Sequence, residues 1–372
     1  TRAGTPTVIK ELDAPGVERA KAHVGEQIAI SAKRTRTPER RYRALLAATT
    51  DMADIAGADL VIEAVFEDLA LKRSVLAEVE QATGPDTVFA TNTSSIPITE
   101  IAAGAARPGN VVGMHYFSPV EKMPLLEVVA APATSEEAIA TAVAVGRAQG
   151  KTVIVVSDGP GFYTTRILTP YGAEVMRLLE DGALIEDVDG AMVEWGFPVG
   201  PLALNDEVGL DVTAKIALIM QKAFGERVTP RTGYEALLAD GRMGRKNGLG
   251  FYRYEQGKRV GADPTVYEVL GTHPTGEVSR AEIRDRLVAA MVNEAARCLE
   301  EGVLDSAVDG DLGAVMGIGF PPFRGGPFFY IDETGVDVIV SRLDRLAGEL
   351  GPHFAPAAIL REQAASGSRF RP

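Results

Sequence analysis

The sequence predicts an α/β domain followed by an all-α domain present in two copies. Three observations carry that reading. Short apolar runs alternate with helical stretches up to residue 159, long amphipathic helices replace them beyond Gly159-Pro160-Gly161, and the helical half repeats itself.

In chain order, residues 7–12 (TVIKEL), 59–65 (DLVIEAV), 87–91 (TVFAT), 111–116 (VVGMHY), 125–130 (LLEVVA) and 152–156 (TVIVV) read as strands. Several are apolar on both faces, the mark of strands covered by helices on each side. Between them, 69–81 and 135–149 have helical periodicity. The second opens on a T-x-x-E capping box at Thr134 and Glu137 and stops at Gly150. Long helices follow at 162–180, 210–224, 279–301 and 336–350. The third starts on a capping box, Ser279 and Glu282, and sets Ile283, Leu287, Met291 and Cys298 along one side.

The repeat lies in the helical half. EVMRLLEDGALIEDVDG (174–190) aligns without a gap on EAARCLEEGVLDSAVDG (294–310). After a short insertion WGFP (195–198) meets IGFP (318–321), Gly200-Pro201 meets Gly326-Pro327, and Asp206 and Asp332 follow at equal distances. Two amphipathic helices can share an apolar register by chance. Shared Gly, Pro and Asp positions mark turns and caps instead, and point to duplication. The expected divisions are therefore 1–159, 160–270 and 275–372, with 255–275 as a linker.

Composition bounds the function. With 372 residues, 46% hydrophobic and 24% charged, the chain can build a core in each domain. A net charge of −13 leaves no surplus of cations for phosphates and argues against nucleic-acid binding. The one basic run, 33–43 (KRTRTPERRYR), is broken by Pro38 and Glu39 and reads as a solvated helix face or loop. A single cysteine, Cys298, excludes a disulfide framework and reads as a small buried hydrophobe. His23, His115, His273 and His353 are too scattered for a zinc cluster, so no metal is expected. No stretch has the apolar length of a membrane span and the start does not read as a secretory signal; a reducing, aqueous compartment is expected.

Candidate chemistry gathers at strand ends, where α/β folds place ligands. His115 ends one strand and leads into Phe117-Ser118-Pro119; alone it reads as a structural histidine. Glu127, flanked by Leu125, Leu126, Val128 and Val129, is costly to bury without a partner, and a nearby imidazole would supply one. Their pairing sets a catalytic reading beside the structural one. Asn92-Thr93-Ser94-Ser95 make a turn by default, and could also present hydroxyl and amide groups to a ligand in the same crevice. Glu67 and Lys72 on their own read as solvated charges. Glu11 stands where a dinucleotide-binding fold holds an acid against a ribose.

These residues sit in longer motifs. IEAVFEDLALK (62–72), FATNTSSIPI (89–98), GMHYFSPVEKMPLLEVV (113–129), DGPGFYTTRIL (158–168), GFPVGPLALNDEVGLD (196–211), GRKNGLGFY (244–252) and GFPPFRGGPF (319–328) resemble the 3-hydroxyacyl-CoA dehydrogenase portion of the α-subunit family of multifunctional fatty-acid oxidation complexes. The resemblance covers essentially the whole chain, in order and with similar spacings. It implies a Rossmann-like NAD-binding domain, a duplicated helical domain, and NAD-dependent oxidation of (3S)-3-hydroxyacyl-CoA to 3-ketoacyl-CoA.

Position by position, the resemblance makes His115 the base, Glu127 its paired acid and Ser94 a contact to the substrate hydroxyl, with Ser118 and Thr165 also on the substrate side. Asn92 falls near the nicotinamide. Glu11 holds the adenosine ribose, and its charge would repel a 2′-phosphate, favouring NAD over NADP. Ala64, Val65, Glu67 and Lys72 become cofactor-side residues, and Lys246 a lysine of the helical domain that closes over the cofactor. Single-function relatives have Asn where this chain has Thr165, so an amide contact would be replaced. The opening TRAGTPTVIKEL resembles the family's second strand; the first strand, its G-x-G-x-x-G loop and a preceding hydratase domain are expected to be missing from these residues. A thiolase β-subunit is the implied partner, and the bacterial cytoplasm (or a mitochondrial matrix) the implied compartment. Two rivals remain: a non-catalytic fragment keeping only folding or thiolase-docking surfaces, and a dehydrogenase of small hydroxy acids. GMHYFSPVEKM and the duplicated helices weaken the second.

Overall fold

In the computed structural model, which describes residues 3–371, strand β1 (Thr7–Lys10) pairs in parallel with β2 (Leu46–Thr49). Helix α1 (Ala14–Thr35) and short helix α2 (Glu39–Arg43) connect them. Asp13 starts α1 by accepting the Gly16 N–H at 2.7 Å, and a proline in the first turn gives up no needed donor. The basic run falls on the last turn of α1 and on α2, mostly exposed, where cations suit the negative end of a helix.

A separate five-stranded sheet follows: β3 (Leu60–Glu63), β4 (Val88–Thr91), β5 (Val111–Tyr116), β6 (Leu125–Ala130) and β7 (Thr152–Ser157), in that spatial order. Only the β5–β6 pair is antiparallel. Helices α3 (Leu69–Ala82), α4 (Ile98–Ala102) and α5 (Glu136–Ala148) lie among these strands in the chain. The central strands β4 to β6 are buried on both faces, and Val88, Val112, Met114, Leu126 and Val128 pack with Ala138 and Ala142 of α5. Among the described residues no strand pairs between β1 and β3, and Val8 and Ile62 on those strands stay exposed.

One cap differs from expectation. Helix α5 is capped by Ser135, whose Oγ accepts the Ala138 N–H. Thr134 instead donates to the Val111 carbonyl at 2.7 Å and accepts the Ala131 N–H, tying the loop to β5. At the end of β7, Asp158 accepts the N–H groups of Ile98 and Thr99 and the Thr99 hydroxyl, which supplies the cap that Pro97 cannot give α4.

Two compact units divide the chain, the first ending at Asp158 and the second starting at Gly159. The second runs α6 (Thr164–Glu180), α7 (Ile185–Trp195), α8 (Pro201–Val208), α9 (Leu210–Phe224), α10 (Glu235–Ala239), a hairpin of β8 (Tyr252–Glu255) and β9 (Lys258–Ala262), and α11 (Thr265–Leu270). It continues with α12 (Arg280–Glu300), α13 (Ala307–Ile318), α14 (Pro327–Thr334), α15 (Val336–Leu350) and α16 (Ala358–Ser366). The hairpin corrects the purely helical expectation, and with α11 it occupies much of the stretch read as a linker.

Helices α6–α9 and α12–α15 repeat one construction. Asp189 of α7 accepts the N–H groups of Leu202 and Ala203 at the start of α8, and Asp311 of α13 does the same for Phe328 and Phe329 of α14. The Gly-Pro pair is thereby explained. Pro begins the helix, and a Cβ on Gly200 or Gly326 would fall 2.2 Å from Asp189 or 2.3 Å from Asp311. A second carboxylate in each copy closes the far end: Asp206 accepts from Phe251 and Tyr252, Asp332 from Phe370 and Arg371. The gapless alignment pairs Asp189 with Asp309, and here the structure corrects it. Helix α7 is preceded by Leu184 and α13 by Ser306, so part of the insertion lies in the turn before α13, and Asp309 is spent on that turn with Ser306. Between the copies, α6 and α12 exchange buried ion pairs: Arg166–Glu294 at 2.8 Å and Arg286–Glu174 at 2.6 Å.

Candidate active site

Antiparallel pairing sets His115 of β5 directly opposite Glu127 of β6. Directly opposed residues project to the same face of a sheet, so the register alone makes these side chains meet. Nδ1 lies 2.6 Å from Glu127 Oε2, with both residues buried. A carboxylate only accepts, so Nδ1 carries the proton and the ring lone pair sits on Nε2. Phe117 packs on the imidazole with ring centroids 4.5 Å apart.

The end of β4 lies alongside. Asn92 Oδ1 accepts the Tyr116 N–H at 2.8 Å, which fixes the turn beside the His115 strand. Among the described residues the Asn92 amide N–H₂ has no partner. The turn that follows is organised by Glu67, half-buried after β3. Its Oε1 accepts from the Thr93 hydroxyl at 2.6 Å, the Ser94 and Ser95 N–H groups and the Ser95 hydroxyl. Only the Ser94 hydroxyl is left over. Among the described residues it has no hydrogen-bond partner. Burial opposes the Glu67 charge, but the Thr93 hydrogen bond, Lys72 and the Ser94 and Ser95 donors outweigh it and hold the carboxyl below the usual range.

Lys72 overturns its reading as a solvated charge. It is fully buried, with Nζ 2.9 Å from Glu63 Oε1 and 3.4 Å from Glu67 Oε2. Glu63, the last residue of β3, also accepts the Thr91 hydroxyl at 2.6 Å and the Val65 N–H. Sequence reasoning passed over Glu63. Its signal was the one that marked Glu127: an acid inside an apolar strand, needing a buried partner. Ala64 and Val65 continue from Glu63 as exposed residues at the strand's carboxyl end.

The other candidates take no part in these hydrogen bonds. Glu11 follows β1, its N–H bonded to the Thr49 carbonyl; its carboxylate lies near Gly16 and among the described residues has no partner. Ser118 is exposed at a cis Ser118–Pro119 peptide. Thr165 and Lys246 belong to the second unit. Thr165 is half-buried in the first turn of α6, and Lys246 is exposed with Nζ 2.6 Å from Asp211. That hydrogen bond lowers the Asp211 carboxyl from its ordinary range. Among the described residues no group of three or more His, Cys, Asp or Glu is arranged to hold a metal.

Family comparison gives these positions a context. Residues 1–159 match the NAD-binding domain of 3-hydroxyacyl-CoA dehydrogenase, and residues 161–254 and 283–370 match its C-terminal domain. The chain belongs to the 3-hydroxyacyl-CoA dehydrogenase family. It is 48% identical over its whole length to the fatty acid oxidation complex subunit alpha of Shewanella sp. (strain MR-4), of which it covers 53%. The chain thus spans about half the length of the curated relatives it matches. Among solved structures it resembles 3-hydroxybutyryl-CoA dehydrogenase from Escherichia coli K12, with a TM-score of 0.85, 26% identity, and coverage of 98% of this chain and 95% of that one. It also resembles the dehydrogenase part of multifunctional enzyme 1 from C. elegans, with a TM-score of 0.64, 26% identity, and coverage of 97% and 84%. The C-terminal family domain matches twice, over the two segments that hold α6–α9 and α12–α15.

The groups present suit the dinucleotide of that family. Among the described residues Glu11 has an unclaimed carboxylate at the end of β1, and Asn92 an unclaimed amide N–H₂ beside the His115 strand, groups of the kind that hold ribose hydroxyls and amides. Exposed Leu12, Val65 and Phe66 supply apolar surface near those strand ends.

Proposed function

We propose that this chain catalyses NAD-dependent oxidation of (3S)-3-hydroxyacyl-CoA to 3-ketoacyl-CoA, as the dehydrogenase part of a multifunctional β-oxidation protein. The observation that carries this is the buried His115–Glu127 pair standing with the one uncommitted hydroxyl of the Asn92–Ser95 turn. Bound NAD supplies the hydride acceptor for C3. His115, with its lone pair on Nε2, takes the proton of the 3-hydroxyl as the carbonyl forms. Glu127 accepts the Nδ1–H hydrogen bond throughout, holding the ring in that tautomer and stabilising the imidazolium. The Ser94 hydroxyl orients the substrate oxygen. Ser118 and Thr165 serve the acyl-CoA side, while Glu11, Ala64, Val65, Glu67, Lys72, Asn92 and Lys246 serve the cofactor side.

The helical unit consists of two copies, 160–270 and 275–372. A thiolase β-subunit is the partner we infer, since the relatives are alpha subunits of a complex. Among the described residues no helix is long and apolar enough to cross a membrane. We place the protein in the bacterial cytoplasm, a reading supported by its bacterial relatives and lone buried cysteine. The test is NADH oxidation dependent on 3-ketoacyl-CoA, with His115→Gln as the control. Turnover should fall about 10²–10⁴-fold with the fold retained; undiminished turnover in the variant would sink the assignment.

A further inference from the structure

Seven groups within the first unit form one chain of contacts, buried at Glu63 and Lys72 and half-buried at Glu67. Glu63 grips Thr91, the last residue of β4, and the ammonium of Lys72. Lys72 in turn holds Oε2 of Glu67, which leaves Oε1 to collect Thr93, Ser94 and Ser95. Both ends of this chain act on the same short segment, the strand end and turn that carry Asn92 and Ser94. A carboxylate gathering four donors on one oxygen needs its other oxygen fixed, or the turn is held by a swinging group. Lys72 fixes it, and Lys72 lies fully buried with Glu63 as its nearer counter-charge at 2.9 Å.

We propose that Glu63 is a positioning residue: acting through Lys72 and Glu67, it rigidifies the Asn92–Ser95 turn and so aims the Ser94 hydroxyl at the substrate oxygen. Glu63 touches neither substrate nor reacting atoms. The assignment makes Lys72 and Glu67 internal struts of the substrate-facing turn, beyond any part they take on the cofactor side. It rests on the dehydrogenase reading only for what Ser94 touches, and the rigidity claim stands apart from it.

The experiment therefore has two readouts, made on the full-length protein that carries this chain. Amide exchange of the 92–95 segment, followed by mass spectrometry, reports the turn whether or not the enzyme turns over. In Glu63→Gln it should accelerate about tenfold or more while β5 amides stay protected. Unchanged exchange overturns the proposal. In the activity assay, kcat/KM for 3-ketoacyl-CoA should fall about a hundredfold with KM for NADH unchanged. A rise confined to the KM for NADH overturns it too, since the relay would then serve the cofactor alone. Glu63→Gln leaves the Lys72 charge buried and is liable to unfold, so Glu63→Gln with Lys72→Met is the second variant, which removes both charges together. That double variant should fold and still show the loosened turn and impaired kcat/KM. Recovery of both would reduce Glu63 to a partner for Lys72 and defeat the proposal.

Discussion

Single side chains divide here into those the fold has used and those it has left over. Glu127 is used: its carboxylate specifies which imidazole nitrogen of His115 carries the proton. In Glu127→Gln the amide can present N–H₂ to Nδ1 and select the opposite tautomer, with its lone pair turned away from the substrate. The expected loss is about a thousandfold in kcat with little change in KM, checked by steady-state kinetics on ketone reduction. A loss below tenfold would mean the pair is structural. Ser94 is left over, since the Thr93 and Ser95 hydroxyls go to Glu67 while among the described residues the Ser94 hydroxyl has no partner. Ser94→Ala should leave stability within about 0.5 kcal/mol and reduce kcat/KM about ten- to a hundredfold, read from urea melts and kinetics side by side. The His115–Glu127 contact and the Asn92–Ser95 turn were legible in the sequence because strand ends and apolar-flanked acids are local signals. Lys72 was misread because its burial depends on Glu63 and Glu67, and a lysine following a turn looks solvated until its partners are located.

Elements show a second economy, in which an aspartate from one helix starts the next. Neither Gly200 nor Gly326 can cap with a side chain, so Asp189 and Asp311 cap from outside, and Asp206 and Asp332 bind the segments that end each copy. The arrangement concentrates carboxylates. Burial first, with Asp189 adding repulsion, lifts Asp206 to about 6, and burial does the same to Asp311. A carboxyl raised above its unfolded value of about 4 binds its proton more tightly when folded, so this contribution is full below pH ~4 and is lost as pH rises to ~6. Asp206→Asn removes that titration. The advantage of wild type over the variant should shrink by about 2–3 kcal/mol between pH 4 and pH 7, measured by urea unfolding at both. A gap that widens with pH would contradict the shift. Periodicity found α6, α9, α12 and α15, yet it missed α1, the longest helix among the described residues, with its connection to β2, and the β8–β9 hairpin and the Ser135 cap. The α1–β2 connection is fixed by the parallel pairing of β1 with β2, distant in sequence, and the cap by Thr134 being drawn to the Val111 carbonyl. The hairpin is local, but its short and mostly exposed strands carry no apolar period.

At the scale of the chain, the duplication was legible because turns and caps repeat, and its register was not, because the slip lies in a turn whose residues differ between copies. What no alignment of the copies displays is how they meet. Arg166 and Glu174 of α6 pair with Glu294 and Arg286 of α12, so equivalent residues cross over and each copy satisfies the other. The crossing extends outward. Arg166 also reaches Glu301 as Arg286 reaches Asp181, and Arg227 approaches Glu294 as His353 approaches Glu174, each at 3.3 Å. Such reciprocity gives each buried guanidinium a fixed counter-charge, which is the condition for burying it at all. The two centres are not equal. Glu294 faces Arg166, Arg227 and Arg297, while Glu174 faces Arg286, Arg177 and an imidazole. Burial and the neighbouring Arg227 already pull Arg297 below the usual guanidinium range, a sign of cations crowded round one acid. Glu294→Gln would leave three guanidiniums without their common anion and should destabilise by about 3–5 kcal/mol, with Glu174→Gln costing less. Equilibrium unfolding in urea at pH 7 measures both. Either variant costing no more than an exposed pair, about 1 kcal/mol or less, would show that apolar packing of α6 on α12 holds the copies together without the crossed charges.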